Sequence, residues 1–460
     1  MFDPTDILIS ADGTDGASSG DILFGDPPTA EPWNVSAAQL DAVAGNVILQ
    51  ATNDIDFNQD VSLTTANASL TAQAGNNITL DTNVSITTTG GDIHLEADSP
   101  HAGGPAGGTI TTSNPNSDLI SNGGNITLIA SDFDLKGDVL AGSGDISITT
   151  SDNSALGIGN GATDQLSQNE LNTFSTSGIF TLGQATTAGT DGQGTGALDL
   201  TADSITFNNN VTLDADFTGQ IDFTAANGIT LDASLTFDTA TTSVNLDSGS
   251  GAFMVGVNDL LTTTNNPLTI TASDLDVNTG AVIDAGTAGI NLIASNDGNL
   301  SIGTSQGGGE FNVSNAELGS ITASSLDFTT TNTGDIFVDG ATLAAANGNI
   351  GLSSGDTVLF KNTNTFPNTL SVTSTGTIAD DPGASLQVTG TTTLNAGVSN
   401  ILLDEAANDF TGAVSASGAD IALTDANSIV LGDIDATGTL TVDAQGGTIT
   451  QVGGVGAGDS

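Results

Sequence analysis

The chain has 460 residues, 37% of them hydrophobic and 4% aromatic, with one tryptophan and neither tyrosine nor cysteine. Its 54 acidic residues face only two basic ones, Lys136 and Lys361, for a formal net charge of −52. Nucleic acid and anionic membranes are bound through clustered Lys and Arg, so both are excluded as partners, and no apolar run reaches the length of a membrane span.

The remaining composition is Gly, Thr, Asn, Asp and Ala, with β-branched residues between Gly/Asn/Asp punctuation. Such a chain disfavours helices and suits short strands joined by tight turns. Its core has to be filled by small and branched side chains. The opening Met1-Phe2-Asp3-Pro4-Thr5-Asp6 lacks the basic and apolar regions of a signal peptide. The expectation is a piece of a longer exported precursor.

Residues 1–30 read as a leading segment. It contains Gly20-Asp21-Ile22-Leu23-Phe24-Gly25-Asp26, a single faint likeness to a calcium-binding nonapeptide. Trp33 follows, more simply a packing residue of the first coils than a sugar platform. From there a phrase recurs, a Gly, Asn or Asp followed by apolar–polar–apolar. It stands at Asn77-Ile78-Thr79-Leu80, Asp92-Ile93-His94-Leu95, Asn125-Ile126-Thr127-Leu128 and Asp145-Ile146-Ser147-Ile148. It returns at Gly228-Ile229, Gly289-Ile290, Asp335-Ile336, Asn349-Ile350 and Asp420-Ile421. Ile78 to Ile93 is 15 residues and Ile126 to Ile146 is 20.

A period of two puts Ile and Leu on one face and Thr, Asn or Ser on the other. Repeats of this length fit one rung of a β-solenoid, in which each strand stacks in parallel on its counterpart in the next turn. The fold predicted is therefore all-β, a single-stranded right-handed parallel β-helix with coils of roughly 20 residues. Gly, Asn and Asp at the corners supply left-handed backbone angles. An antiparallel sandwich would want two-residue hairpins and more aromatic core.

Residues 31–155 read as coils carrying a glycine-rich insert near 99–108. Leu156-Gly157-Ile158-Gly159 with Asn169-Glu170-Leu171 recurs as Leu300-Ser301-Ile302-Gly303 with Ala316-Glu317-Leu318, offset by 144 and 147 residues. Residues 156–299 and 300–460 are accordingly two copies of one module. The final Gly446-Gly447-Thr448-Ile449-Thr450-Gln451 stays in register without a polar cap, and solenoids need caps, so the second copy is expected to continue.

Several phrases are familiar: Phe2-Asp3-Pro4 leading to Ile7-Leu8-Ile9-Ser10, Val47-Ile48-Leu49-Gln50-Ala51-Thr52-Asn53-Asp54-Ile55, Leu70-Thr71-Ala72-Gln73-Ala74-Gly75-Asn76-Asn77-Ile78, and Ala407-Asn408-Asp409-Phe410-Thr411-Gly412. In these the chain resembles the shaft regions of filamentous-haemagglutinin-like adhesins of the two-partner secretion type. The resemblance implies a secreted location at the bacterial cell surface and a role in attachment or biofilm contacts. Host or neighbouring-cell glycans or proteins would be the partners. The outer-membrane transporter would be engaged by a domain outside this chain, because the family's secretion domain is not recognisable here.

Parallel β-helices also include polysaccharide lyases and glycosidases. A lyase needs a base and a partner for the uronate carboxylate, but Arg is absent and the two Lys lie 225 residues apart. A glycosidase needs two carboxylates, yet most Asp stand in repeated turns such as Gly91-Asp92, Gly144-Asp145 and Gly334-Asp335. The expectation is no enzyme.

His94, Glu96, Asp98 and His101 are the one compact set of metal-capable residues. His94 and Glu96 would alternate outward and could face one ion; the simpler reading makes them solvated strand residues beside a flexible insert. No cofactor is expected beyond weak calcium binding at aspartate corners. The threonine runs Thr87-Thr88-Thr89 and Thr391-Thr392-Thr393 fall too irregularly for an ice-binding array. The insert 99–108 and Gln165–Leu171 are the expected protruding contact sites.

Overall fold

The computed structural model describes residues 4–13, 15, 21–22, 32–99, 107–161, 164–188, 197–238, 241–304 and 311–457. The chain is an all-β solenoid of about 18 turns, with about 23 residues per turn and almost no helix. Its contacts divide it into two compact units, Met1–Asn245 and Leu246–Ser460.

In the first unit the coils stack into parallel sheets, three of which carry most of its strands. One runs through Val47–Ala51, Leu70–Ala74, Ile93–Glu96, Ile126–Ala130, Ile146–Thr150, Phe180–Leu182 and Gln220–Thr224. A second contains Ile7–Ser10, Ile55–Phe57, Ile78–Leu80, Thr109–Thr112 and Asp132–Leu135. The third contains Val61–Ala66, Ile86–Thr89, Leu119–Ile120, Val139–Gly142 and Phe174–Thr176.

This topology refines the rung length: Ile126 pairs directly with Ile146, so that 20-residue interval is one rung. Ile78 pairs with Ile55 and Ile110, whereas Ile93 pairs with Leu70 and Ile126. The 15-residue interval is thus a step from one face to the next, not a rung, because every face uses the same turn-plus-apolar phrase. Other rungs separate Gln50 from Gln73, and Gln73 from Glu96, by 23 residues. The coil with the glycine-rich insert stretches to 33, measured from Asp92 to Asn125.

The inward stripe is Leu70, Ile93, Ile126, Ile146, Phe180 and Ile221, each in register with the next. Small and branched side chains fill most of the core, but one stretch is aromatic. Phe174 and Phe217 lie 5.8 and 4.6 Å from Phe180, and Phe223 lies 5.6 Å from Phe207 and 5.8 Å from Phe237, ring centre to ring centre. At one corner backbone packs on backbone. A Cβ on Gly124 would sit 2.2 Å from the carbonyl oxygen of Gly91, and one on Gly144 would sit 2.0 Å from that of Gly124.

The second unit repeats the scheme. Leu268–Ala272, Gly289–Ala294, Ser325–Thr329, Asn349–Ser354, Leu370–Ser374, Thr392–Asn395 and Val414–Gly418 form one parallel ladder. Leu300–Gly303, Ile336–Asp339, Val358–Lys361, Ile378–Asp380, Ile401–Leu403 and Ile421–Asp425 form another. Among the described residues no helix is long and apolar enough to cross a membrane.

The corners put many of the aspartates to use beside Asn and Ser. A side-chain oxygen just ahead of a strand accepts the backbone N–H of the equivalent residue one coil on. One such ladder runs Asn46, Ser69, Asp92, Asn125, Asp145, ending on the Ile179 amide. A second runs Asp60, Ser85, Asp118, Asp138, and a third Asp6, Asp54, Asn77, Thr109. The second unit has Asn299, Asp335, Thr357 and Asn400, Asp420, Thr439. The left-handed corners are a different set: among the described residues, apart from Thr264, the non-glycine residues at positive φ are Asn or Asp, and the only Asp are Asp98 and Asp297.

Candidate functional site

The metal-capable cluster is where sequence and structure differ most. Alternation along Ile93–Glu96 points Ile93 and Leu95 into the core and His94 and Glu96 outward, as expected. Yet the side chain of Glu96 has no exposed surface and that of His94 keeps 12%. The expectation of solvated residues is therefore wrong for Glu96. Its cover is remote in sequence. After Phe180–Leu182 the chain leaves the coil as an antiparallel hairpin, Gln184–Thr186 against Asp199–Thr201, which returns across the outside of the same sheet. Ala185 and Leu200 of this strap bury Ile129, the outward residue stacked directly on Glu96.

Under the strap lies a column of polar side chains, one per coil. Gln50 Nε2 donates to Gln73 Oε1 at 2.6 Å, and Gln73 Nε2 donates to Glu96 Oε2 at 2.8 Å and to the Ala188 carbonyl at 3.2 Å. Ser99 Oγ donates to Glu96 Oε1 at 2.7 Å. His94 Nε2 lies 3.2 Å from Glu96 Oε2 and 3.3 Å from the Ala188 amide nitrogen. One ring nitrogen cannot donate to a carboxylate and accept from an amide together, so the tautomer selects which contact is made. Burial pushes the Glu96 carboxyl up, but the hydrogen bond and charge of His94 and the bonds from Gln73 and Ser99 outweigh it, leaving it below its ordinary value.

Asp98 is not part of this column. Its backbone is left-handed and its Oδ2 accepts from Ser131 and Ser151 at 2.7 and 2.8 Å. His101 lies outside the described residues, as does most of the expected contact insert. Among the described residues no three His, Cys, Asp or Glu side chains are grouped to hold a metal. The shielded carboxylate, with both oxygens engaged, anchors Gln73 and His94, the two side chains that reach Ala188 of the strap.

The residues missed were Gln50 and Gln73. They carried a signal: Gln50-Ala51, Gln73-Ala74, Glu96-Ala97 and Ile129-Ala130 occupy one column, each an outward residue before an inward alanine.

The other expected contact site is also built in. Leu166 and Leu171 of Gln165–Leu171 are buried, and Gln168–Leu171 is a short helix whose Ser167 and Glu170 form a capping box. Its counterpart Asn315–Leu318 has the same box from Ser314 and Glu317. Each glutamate also accepts from a sheet-edge strand: Glu170 Oε1 takes the Leu135 amide at 3.1 Å and Glu317 Oε1 takes the Val277 amide at 3.3 Å. Asp41, ending the helix Ala37–Asp41, does the same for Ser62 of the edge strand Val61–Ala66 at 2.6 Å. Trp33, half-buried, sits in a strand paired to Ile7–Ser10. Thr88 and Thr392 of the threonine runs are buried, which breaks any flat array.

In the second unit a bulge in Ile429–Ala436 sets Gly432 and Asp433 against Ser415 alone. It opens a shallow pocket of about 310 Å³ bordered by Thr393, Asn395, Ser415, Ser417, Asp433 and Asp435. Asp433 Oδ1 already accepts from the Gly454 amide at 2.8 Å.

Residues 347–417 and 418–460 match a family model described as repeats of unknown function (DUF5649). No curated protein and no solved structure matches the chain. The matched repeats lie in the second unit and are stacked coils with outward Thr, Ser and Asp side chains such as Ser371, Thr393 and Ser415.

Proposed function

We propose that the chain is a structural and adhesive shaft segment of a large secreted bacterial surface protein, of the filamentous-haemagglutinin-like kind exported by two-partner secretion. The observation that carries this reading is how the carboxylates are used. Asp54, Asp92, Asp118, Asp335 and Asp420 each hold the backbone of the next coil. These five acids serve coil stacking, and the repeat architecture suits length and presentation of binding elements. Its partners on this reading are glycans or proteins of host or neighbouring cells.

The test is to coat a surface with the purified chain and measure retention of bacterial and host cells, while assaying a panel of neutral and uronate polysaccharides for cleavage. Retention above a coat of an equally acidic unrelated protein, without new reducing or unsaturated ends, is the expected result. Cleavage abolished by Asp433→Asn or Asp435→Asn would replace this reading with a carbohydrate-active enzyme.

A further inference from the structure

One outward row of the Leu246–Ser460 unit departs from the Thr, Ser, Asn and Asp of the row beside it. Parallel register stacks Phe337 on Leu359, Leu359 on Ala379, Ala379 on Leu402 and Leu402 on Ala422. Their neighbours Ile336, Val358, Ile378, Ile401 and Ile421 point into the core with at most 1% exposure. All five outward residues keep surface in solvent, Leu402 at 36%. Another face of the same coils carries Asn291, Asp327, Gly351, Ser371, Thr393 and Ser415 in its outward row. Five successive apolar side chains on the outside of a chain this polar form a contiguous stripe, not scattered residues.

One flank of the stripe is mainly acidic: two residues further along each coil stand Asp339, Lys361, Asp381 and Asp404. The other flank, two residues before the stripe, carries Asp335 and Asp420 at its ends with Thr357, Thr377 and Asn400 between them. Lys361, the one cation in the set, lies with its Nζ 4.7 Å from the centre of the Phe337 ring. A second copy of the chain would bring another −52 charges to this face, which opposes self-association.

We propose that this stripe docks a basic amphipathic helix of a partner polypeptide. Coils repeat about every 4.8 Å, so five rows run about 19 Å. A helix laid along them presents an apolar residue about every 5.4 Å, close to one per coil, and about 13 residues span the stripe. Lys and Arg on either side of its apolar face meet the flanking carboxylates, which sets orientation and speeds encounter. The first unit shows what such a residue does when the chain can cover it itself: Ile129 lies beneath the strap.

The experiment titrates the full chain with a Leu/Lys peptide patterned as an amphipathic helix and with a scrambled peptide of the same composition. A variant carrying Leu359→Thr and Leu402→Thr has the residue type used in outward rows elsewhere, and circular dichroism confirms its fold. The patterned peptide is expected to bind the native chain at least about tenfold tighter than the scramble, and the double variant to lose that difference. Equal binding of both peptides, or an unchanged double variant, leaves only charge attraction and overturns the proposal. Self-association of the native chain that the double variant abolishes overturns it in favour of a second copy. Cell retention does not enter this readout, so the adhesive reading and this one can fail separately.

Discussion

Asp92 and Asn122 both stand beside a glycine at a corner, and the backbone separates their roles. Asn122 is left-handed at φ 51° and its Nδ2 donates to the Thr88 carbonyl. Asp92 is outside the left-handed set, and its Oδ1 accepts the Asn125 amide at 2.8 Å. What Asp92 needs is an oxygen, not a charge, since Asn46 and Asn125 fill the same column. Asp92→Asn is therefore expected to leave stability unchanged or slightly raised, and Asp92→Ala to cost about 1 kcal/mol. Amide exchange at Asn125 checks this: faster exchange in the alanine variant alone supports the ladder, and equal exchange in both variants refutes it. The dual use of Asn and Asp was only half legible, because their turn preference is local whereas the acceptor role depends on the coil above.

The short helices show the same logic at the level of elements. Where a sheet ends, its edge strand presents N–H groups with no further rung, and exposed edges invite wrong pairing. Glu170 uses both oxygens there, Oε2 accepting from Ser167 at 2.7 Å and Oε1 from Leu135 at 3.1 Å. Glutamine offers one oxygen, and its amide group would face an N–H. Glu170→Gln is thus expected to destabilise by about 1–3 kcal/mol, in contrast to Asp92→Asn, with exchange speeding at Leu135 or at Ser167. Protection preserved at both amides would show that the helix caps the edge without its carboxylate. The sequence marks this device through its Ser-x-x-Glu spacing at Ser167–Glu170 and Ser314–Glu317. It does not mark which strand the glutamate reaches, since Leu135 lies 35 residues earlier and Val277 lies 40 residues before Glu317.

For the whole molecule the acids set the response to pH and ions. Burial is the main cause that holds Asp41, Asp56, Asp132, Asp138, Glu170, Asp274, Glu317, Asp327 and Asp380 above their ordinary values. Between the ordinary carboxylate range and these raised values the folded chain binds more protons than the unfolded one, so stability falls as pH rises through that window. Acidifying from neutrality is expected first to raise the unfolding midpoint. Glu96 has the opposite sign: its lowered value gives a contribution present above the ordinary range and lost as pH falls through the folded value. The midpoint should then turn over at lower pH, and Glu96→Gln should weaken that turnover. A midpoint that only falls on acidification would contradict the assignment. Calcium raising it more than sodium at equal ionic strength would place cations at the aspartate corners, whereas equal effects mean screening alone. The sequence by itself determined that the chain coils into a parallel solenoid, because period-two apolar phrases between turn residues bury one face only when stacked. Tertiary structure alone decided the 23-residue rung and the burial of Glu96. Which strand pairs with which, and which segment folds back over an outer face, are set by contacts far apart in the chain that no local pattern records.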